Sequence, residues 1–366
     1  MTSVQLAICD PYHRGSHKQF AETVAKMCRA DGINVQLLTL RGKHWKWRMQ
    51  GAAAWFAQEL AASRPNVILT TDMLDVSRLR GLLPATLREV PIIQYFHENQ
   101  LTFPWPDHDP DLQQRIDLTY GMTNIMSALA ADEVWFNSGF HRETFLTAAH
   151  ERIAAMPDGS FSLDRLGNSK VRYIPVDLER LGALPEGTLD RPLHTPLRIV
   201  WNHRWTKDKG ADRFVELLRQ LQAEAIPFEL ALMGKGLASS EWDAELDNFS
   251  DQIQFRQPAS SPTEYSHWLS WADVMFHNPR QEFFGISVVE AMHHGVLPIV
   301  PDWGPYPEIL LGIEIPKKND KDLPELMFTL SHVDIPALRR QLADRASDFC
   351  HTSQRILWTT EIDSWL

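Results

Sequence analysis

The sequence predicts an α/β protein of two domains, each built on a parallel sheet. Three observations carry this. Short apolar runs alternate with amphipathic segments along the 366 residues. The alternation stops at residues 182–196, a stretch with three prolines and no periodic pattern, and then restarts. Within the restart, residues 273–300 contain a complete strand–turn–helix–strand crossover.

The first half reads in order as follows. Residues 4–8 are an apolar strand, followed by the polar turn Asp10-Pro11-Tyr12-His13-Arg14-Gly15. Ser16 is placed to cap a helix running to about Arg29, with Phe20, Val24 and Met27 on one face. A strand, a glycine turn and a helix form a place where an α/β domain binds phosphate or sugar, so Gly15 and Ser16 are candidate donor contacts. Residues 35–40 are the second strand. The next stretch is Arg41-Gly42-Lys43-His44-Trp45-Lys46-Trp47-Arg48, with four fixed cations, two indoles and no acid. Cations for phosphates and flat rings for stacking are what single-stranded RNA requires. The same residues also suit a loop whose tryptophans pack inward while Lys and Arg reach water. A helix at 52–62, a strand at 66–70, a helix at 76–83 and a strand at 91–96 follow. That last strand ends on His97-Glu98-Asn99-Gln100, where an open α/β sheet places catalytic groups. His97 is the residue there that changes charge near neutral pH. Asp107-His108-Asp109-Pro110-Asp111 alternates carboxylates but reads as a solvated acidic turn rather than a metal site. A long helix at 112–131, the strand Glu133–Phe136, a helix opened by Asn137-Ser138-Gly139, a loop at 154–170 and a strand at 171–175 complete this half.

The second half opens with the strand Leu197–Trp201 and the turn Asn202-His203-Arg204-Trp205-Thr206-Lys207-Asp208-Lys209-Gly210. Arg204 and Lys209 could neutralise a diphosphate there, one as a fork and one as a point charge. A helix at 211–223 leads to strands at 228–233 and 253–255, then to a helix at 263–271. The crossover comes next. A strand at 273–276 leads into Arg280-Gln281-Glu282-Phe283-Phe284-Gly285, a helix carries Glu290 and ends near Gly295, and a strand follows at 296–300. Glu282 and Glu290 can accept hydrogen bonds from sugar hydroxyls, and Gly285 lets the backbone approach a ligand. Free N–H groups of the first helical turn suit a phosphate. Residues 323–366 read as helical, with Trp358 and Trp365 as packing anchors.

Composition narrows the classes. No apolar run approaches the ~20 residues of a membrane span, and no basic segment precedes a long apolar run at the start. Three cysteines without metal-ligand spacing fit a reducing, cytoplasmic setting. The net charge of −11 is uneven: residues 1–185 hold 19 Lys+Arg against 20 Asp+Glu, and residues 186–366 hold 17 against 27. A polyanionic partner is therefore compatible with the first domain and not with the second.

Two α/β domains, a basic pair early in the second and Glu-x7-Glu late in it resemble retaining glycosyltransferases of family 4 type. A closer resemblance runs through Gly15-Ser16-His17-Lys18-Gln19, Lys43 to Arg48, Tyr95 to Leu101, Phe136-Asn137-Ser138, Trp201 to Trp205 with Asp208-Lys209, Glu282 to Gly285 and Tyr306-Pro307-Glu308. Together these are similar to the tRNA-queuosine α-mannosyltransferase family over nearly the whole chain. The resemblance implies an α/β GT-B fold, two Rossmann-like domains facing each other across a cleft. The domains would be 1–185 for the acceptor and 186–366 for the nucleotide sugar, with the last helices free to pack back on the first. It implies transfer of mannose from GDP-mannose to queuosine in an aspartate tRNA, with no cofactor, metal or membrane partner. Arg204 and Lys209 would hold the diphosphate, Glu282 the sugar, Glu290 the ribose, and backbone near Phe283, Phe284 and Gly285 would assist. His97 and Asn99 would lie near the acceptor hydroxyls, and Lys43, His44, Trp45, Lys46, Trp47 and Arg48 would hold the tRNA. Two further classes remain open at this point: a glycosyltransferase for a small-molecule or lipid acceptor, and a non-catalytic binding module.

Overall fold

A computed structural model describes residues 4–105, 109–157, 161–315 and 323–366. The chain forms two compact units, Met1–Pro175 with His351–Leu366, and Val176–Cys350. In the first unit the elements are β1 (Leu6–His13), α1 (Gly15–Ala30), β2 (Val35–Arg41), α2 (Trp45–Ser63), β3 (Val67–Thr71), α3 (Val76–Leu82), β4 (Ile92–Phe96), α4 (Pro110–Gln113), α5 (Asp117–Ala130), β5 (Glu133–Phe136), α6 (Gly139–Ala154) and β6 (Lys170–Val171). The second unit holds β7 (Leu197–Trp201), α7 (Ala211–Ala223), β8 (Phe228–Leu232), α8 (Asp243–Leu246), β9 (Ile253–Arg256), α9 (Pro262–Trp271), β10 (Val274–Phe276), α10 (Ile286–His293), β11 (Leu297–Ile299), α11 (Tyr306–Ile309), α12 (Leu323–Ser331) and α13 (Ile335–Ser347). Helix α14 (His351–Asp363) belongs to the first unit.

The first sheet has the order β2-β1-β3-β4-β5-β6, with every pair parallel. Its inner strands are apolar on both faces, as a sheet covered on both sides requires, and β3 and β4 are wholly buried. The chain leaves β1 for β2 on one side and returns to β3 on the other, so the order reverses between β1 and β3. Such a reversal opens a crevice at the carboxyl ends of the strands. The second sheet has the order β11-β10-β7-β8-β9, again all parallel, and reverses between β7 and β10. Each unit thus presents one crevice, and the residues just past those strand ends line it.

Several local features depart from the sequence expectations. Helix α1 begins at Gly15, and Ser16 makes no capping bond; Arg14 occupies the cap position in extended conformation. Residues Trp45–Arg48 are not loop but the first turn of α2, entered through His44 at φ 56°. The helix expected at 112–131 is broken into α4 and α5, with Arg115 at φ 57° between them. The strand expected at 171–175 shrinks to β6.

Two buried features fix the ends of the chain's longer excursions. In the first unit Trp358 of α14 is fully buried among Phe20, Tyr95 and Trp135, with ring centroids 5.2–5.5 Å away. Its indole N–H donates to the Tyr173 carbonyl at 3.2 Å. In the second unit Asp273 and Arg339, both fully buried, pair at 2.9 Å. Arg191 and His194 bond the same carboxylate, so residues 182–196 are stitched into this unit through their second half. Burial alone would raise the Asp273 carboxyl, but His194 and Arg191 overrule it and hold it low.

Candidate active site

In the second unit the crevice is lined from β7 and β10. Lys209 closes a single 3₁₀ turn (Lys207–Lys209) after β7. Gly210, at φ 76°, then turns the chain into α7 with its Cα so near β10 that an added Cβ would lie 2.1 Å from the Asn278 carbonyl oxygen. This close approach sets Lys209 against Glu282, with Nζ to Oε2 at 2.8 Å. His277, the first residue after β10, places Nε2 3.6 Å from the same oxygen. Burial would push the Glu282 carboxyl up; Lys209 and His277 reverse this and hold it far below the usual range. A cation and a carboxylate that satisfy each other are therefore poised where charged and hydroxylated groups of a ligand would enter.

The His277 ring stacks on His203 at 3.6 Å between centroids, with 14° between planes. Burial, then the neighbouring His277 and Lys209, keeps His203 neutral; burial likewise lowers His277 against the pull of Glu282. His203 bonds Ser287 of α10 through Nδ1 at 2.9 Å. Its Nε2, both ring nitrogens of His277 and the Tyr306 hydroxyl are buried without a hydrogen-bond partner among the described residues. Each such group costs about 1–3 kcal/mol when left unpaired. Four in one place call for a polar partner, whether water or a ligand.

Glu290 is 4% exposed and already engaged. Arg180 bonds one oxygen, and the Tyr265 hydroxyl donates to the other at 2.8 Å. Asn202 in turn donates to Tyr265 at 2.9 Å. Gly285 caps α10 at φ 96°, a conformation other residues rarely adopt. Phe283 and Phe284 turn their rings into the core, Phe284 against Phe349. Arg204 is exposed and touches Asp208 at 3.2 Å.

In the first unit the crevice lies past β1, β3 and β4. His97 follows β4, and Asp72 follows β3. Asp72 Oδ1 accepts from the His97 backbone N–H and faces its Nδ1, both at 3.1 Å. Burial lowers His97 to about 3 and raises Asp72. Asn99 is fully buried and its side-chain oxygen caps the following turn through Leu101 N and Thr102 N. Gly15, at φ 56°, and Ser16 are exposed at the start of α1.

The basic-aromatic stretch is divided by the fold. Lys46 sits between Asp109 and Asp111, 2.7 Å from each, and near the rings of Trp45 and Trp105. Trp45 packs on Trp105 and Tyr120. Arg48 bonds the Arg41 carbonyl. Lys43, His44 and Trp47 are exposed, Trp47 by 74%. Asp109 and Asp111 are thus engaged by a lysine, while Asp107 and His108 lie outside the described residues.

Sequence reasoning left Asp72, His17, Tyr265, His277 and Tyr306 unassigned. Two of them carried a usable signal: Asp72 and His277 are polar residues directly after apolar strands, the position that singled out His97.

Fold and crevices together define a glycosyltransferase of GT-B fold, and comparison with known proteins agrees. Residues 192–346 match the model described as glycosyl transferases group 1. Superposition on a glycosyltransferase from Rickettsia africae gives a TM-score of 0.66 at 13% identity, covering 100% of this chain and 99% of that one. Sucrose-phosphate synthase from Thermosynechococcus elongatus gives 0.70 at 15% identity, covering 98% of both chains. The more particular match is in the first unit, where residues 5–170 fit the model for the N-terminal part of tRNA-queuosine alpha-mannosyltransferase. The tRNA-queuosine alpha-mannosyltransferase of Drosophila melanogaster is 30% identical over 332 residues, 86% of this chain and 82% of that protein. The chain belongs to the tRNA-queuosine alpha-mannosyltransferase family. Among the described residues, no helix is long and apolar enough to cross a membrane.

Proposed function

We propose that this chain transfers mannose, with retention at the anomeric carbon, from GDP-mannose to a hydroxyl of queuosine in the anticodon of an aspartate tRNA. The observation that carries the acceptor is the match of residues 5–170 to a family defined by queuosine mannosylation. The second unit supports the donor half. In the reaction the bond from the sugar to the diphosphate breaks and the bond to the acceptor oxygen forms. The acceptor proton passes to an oxygen of the leaving diphosphate. Lys209 and Arg204 supply positive charge where that diphosphate develops, with the N-terminus of α10 beside them. Glu282 releases its share of Lys209 and accepts from sugar hydroxyls. Glu290, held by Tyr265 and Arg180, takes the ribose. His97 and Asn99 belong to the acceptor side.

For the tRNA, Lys43, His44, Trp47 and Arg48 form the contact face. Trp45 and Lys46 brace it from below against Trp105, Asp109 and Asp111. Each phosphate contact removed by Lys43→Ala or Arg48→Ala should lower the slope of log affinity against log salt by about 0.7–0.9. Fixed cations do the work of charge neutralisation in this scheme, so EDTA should leave the rate unchanged.

The test is mass spectrometry of queuosine-containing tRNA after incubation with a panel of nucleotide sugars. A gain of one hexose from GDP-mannose, absent from the same tRNA carrying guanine in place of queuine, is the expected result. Transfer to a small molecule or lipid with tRNA untouched would refute it.

A further inference from the structure

Three side chains meet in the first unit's crevice without forming a closed network. His17 comes from the first turn of α1, Asp72 from the end of β3 and His97 from the end of β4. They are 6%, 2% and 7% exposed. One nitrogen or oxygen from each lies within 4.8 Å of the others. The two imidazoles lie 4.5 Å apart between centroids, with 40° between planes. His17 Nδ1 and His97 Nε2 are each buried with no hydrogen-bond partner among the described residues.

The orientation of His97 is fixed from behind. Asp72 Oδ1 receives the His97 backbone N–H, and the ring Nδ1 faces the same oxygen. A carboxylate only accepts, so Nδ1 carries the proton and Nε2 keeps its lone pair. Phe20 and Tyr95 meet the His97 ring edge-on at 4.3 and 4.9 Å, and Tyr12 meets His17 at 5.7 Å. These walls leave the rings little freedom. The outcome is two adjacent rings, each with one buried nitrogen that lacks a partner among the described residues. His97 Nε2 can only accept and takes a hydroxyl proton, whereas His17 Nδ1 accepts or donates according to its tautomer. Two hydroxyls on adjacent carbons, each able to donate and accept, satisfy both.

We propose that His17 and His97 form a two-point receptor for a vicinal pair of hydroxyls, with Asp72 as the positioning residue that fixes the His97 tautomer. Burial keeps both imidazoles neutral, as this role requires. The assignment rests on the function proposed above, in which two such pairs occur. One is the cis-diol on the cyclopentene ring of queuosine. The other is the cis-diol of mannose.

The test combines kinetics with a binding readout that does not depend on turnover. In protein carrying ¹⁵N-histidine, queuosine nucleoside and methyl α-mannoside are added separately while the ring nitrogens of His17 and His97 are observed. A shift of both rings with either probe supports the receptor and names the source of the diol. No shift with either probe overturns it, even if the wild-type protein mannosylates tRNA. A shift without transfer leaves the receptor standing and removes the proposed reaction instead. In the Asp72→Ala variant, which removes the acceptor that faces Nδ1, His97 should lose its single Nδ1–H tautomer, a change that loosened packing alone would not produce; an unchanged tautomer removes Asp72 from the role.

Kinetics of His17→Phe, which keeps the ring shape, give the second arm. If queuosine supplies the diol, kcat/KM for the tRNA falls at least tenfold and the shift of the His97 ring on adding queuosine nucleoside shrinks. If mannose supplies it, hydrolysis of GDP-mannose without tRNA falls at least tenfold and the shift with methyl α-mannoside shrinks. Wild-type values throughout would overturn the proposal.

Discussion

Lys209 and Glu282 show how a residue pair can be ready for a ligand before one arrives. Lys209 matters most when charge builds on a leaving diphosphate, so Lys209→Ala should lower turnover about a hundredfold, by analogy with the loss of one oxyanion donor. Initial rates at saturating donor and acceptor measure this, with a melting curve to show that the unpaired Glu282 has not unfolded the unit. A raised donor KM at full turnover would contradict it. The same pair bears on acid stability. Glu282 and Asp273 are both held below the ordinary carboxyl range. A depressed carboxyl gives stability that is fully present above its unfolded pKa, near 4, and is lost as pH falls below that. Asp273→Asn should remove part of that acid-dependent loss and destabilise the protein at neutral pH by about 3–5 kcal/mol, because Arg339 stays buried without its charge partner. Denaturant titrations at pH 7 and pH 3 check both signs. The turns that carry Arg204, Lys209 and Glu282 and the short helix that carries Glu290 were legible from sequence, because their type is local. Their engagements were not. Nothing near Glu290 announces Arg180 or Tyr265, which arrive from 110 and 25 residues away.

At the scale of the element, the strands were the most legible part, because buried parallel strands are near-continuous apolar runs. The helix starts were less so. Helix α2 begins after a histidine in the left-handed region rather than after Ser, Thr, Asp or Asn, so no local signal marks residue 45. The break before α5 falls at Arg115, again without glycine or proline to announce it. The turn from β7 to α7 is the opposite case, where one residue type is required. Gly210→Ala puts a methyl against the Asn278 carbonyl and strains a positive φ. We expect a loss of about 1–3 kcal/mol in urea unfolding and a fall in donor affinity, since Lys209 is the preceding residue. Unchanged values on both counts would mean that the turn relaxes freely.

For the molecule as a whole, buried histidines set the response to acid. His17, His97, His141, His203 and His277 all have pKa values lowered first by burial. The unfolded chain takes up these protons near pH 6.5 while the folded protein refuses them. Stability therefore falls as pH drops below about 6.5, by up to about 1.4 kcal/mol per pH unit for each histidine. Unfolding midpoints from pH 7 to pH 5 should decline with an uptake of more than one proton; a flat profile would contradict this. Trp358 leads to a different kind of consequence. It fills the space between Phe20, Tyr95 and Trp135, yet it is translated only after the whole of the second unit. On the ribosome the core of the first unit lacks this indole while the 175 residues of the second unit emerge. The unit that is begun first thus receives its last core residue only when synthesis is nearly over.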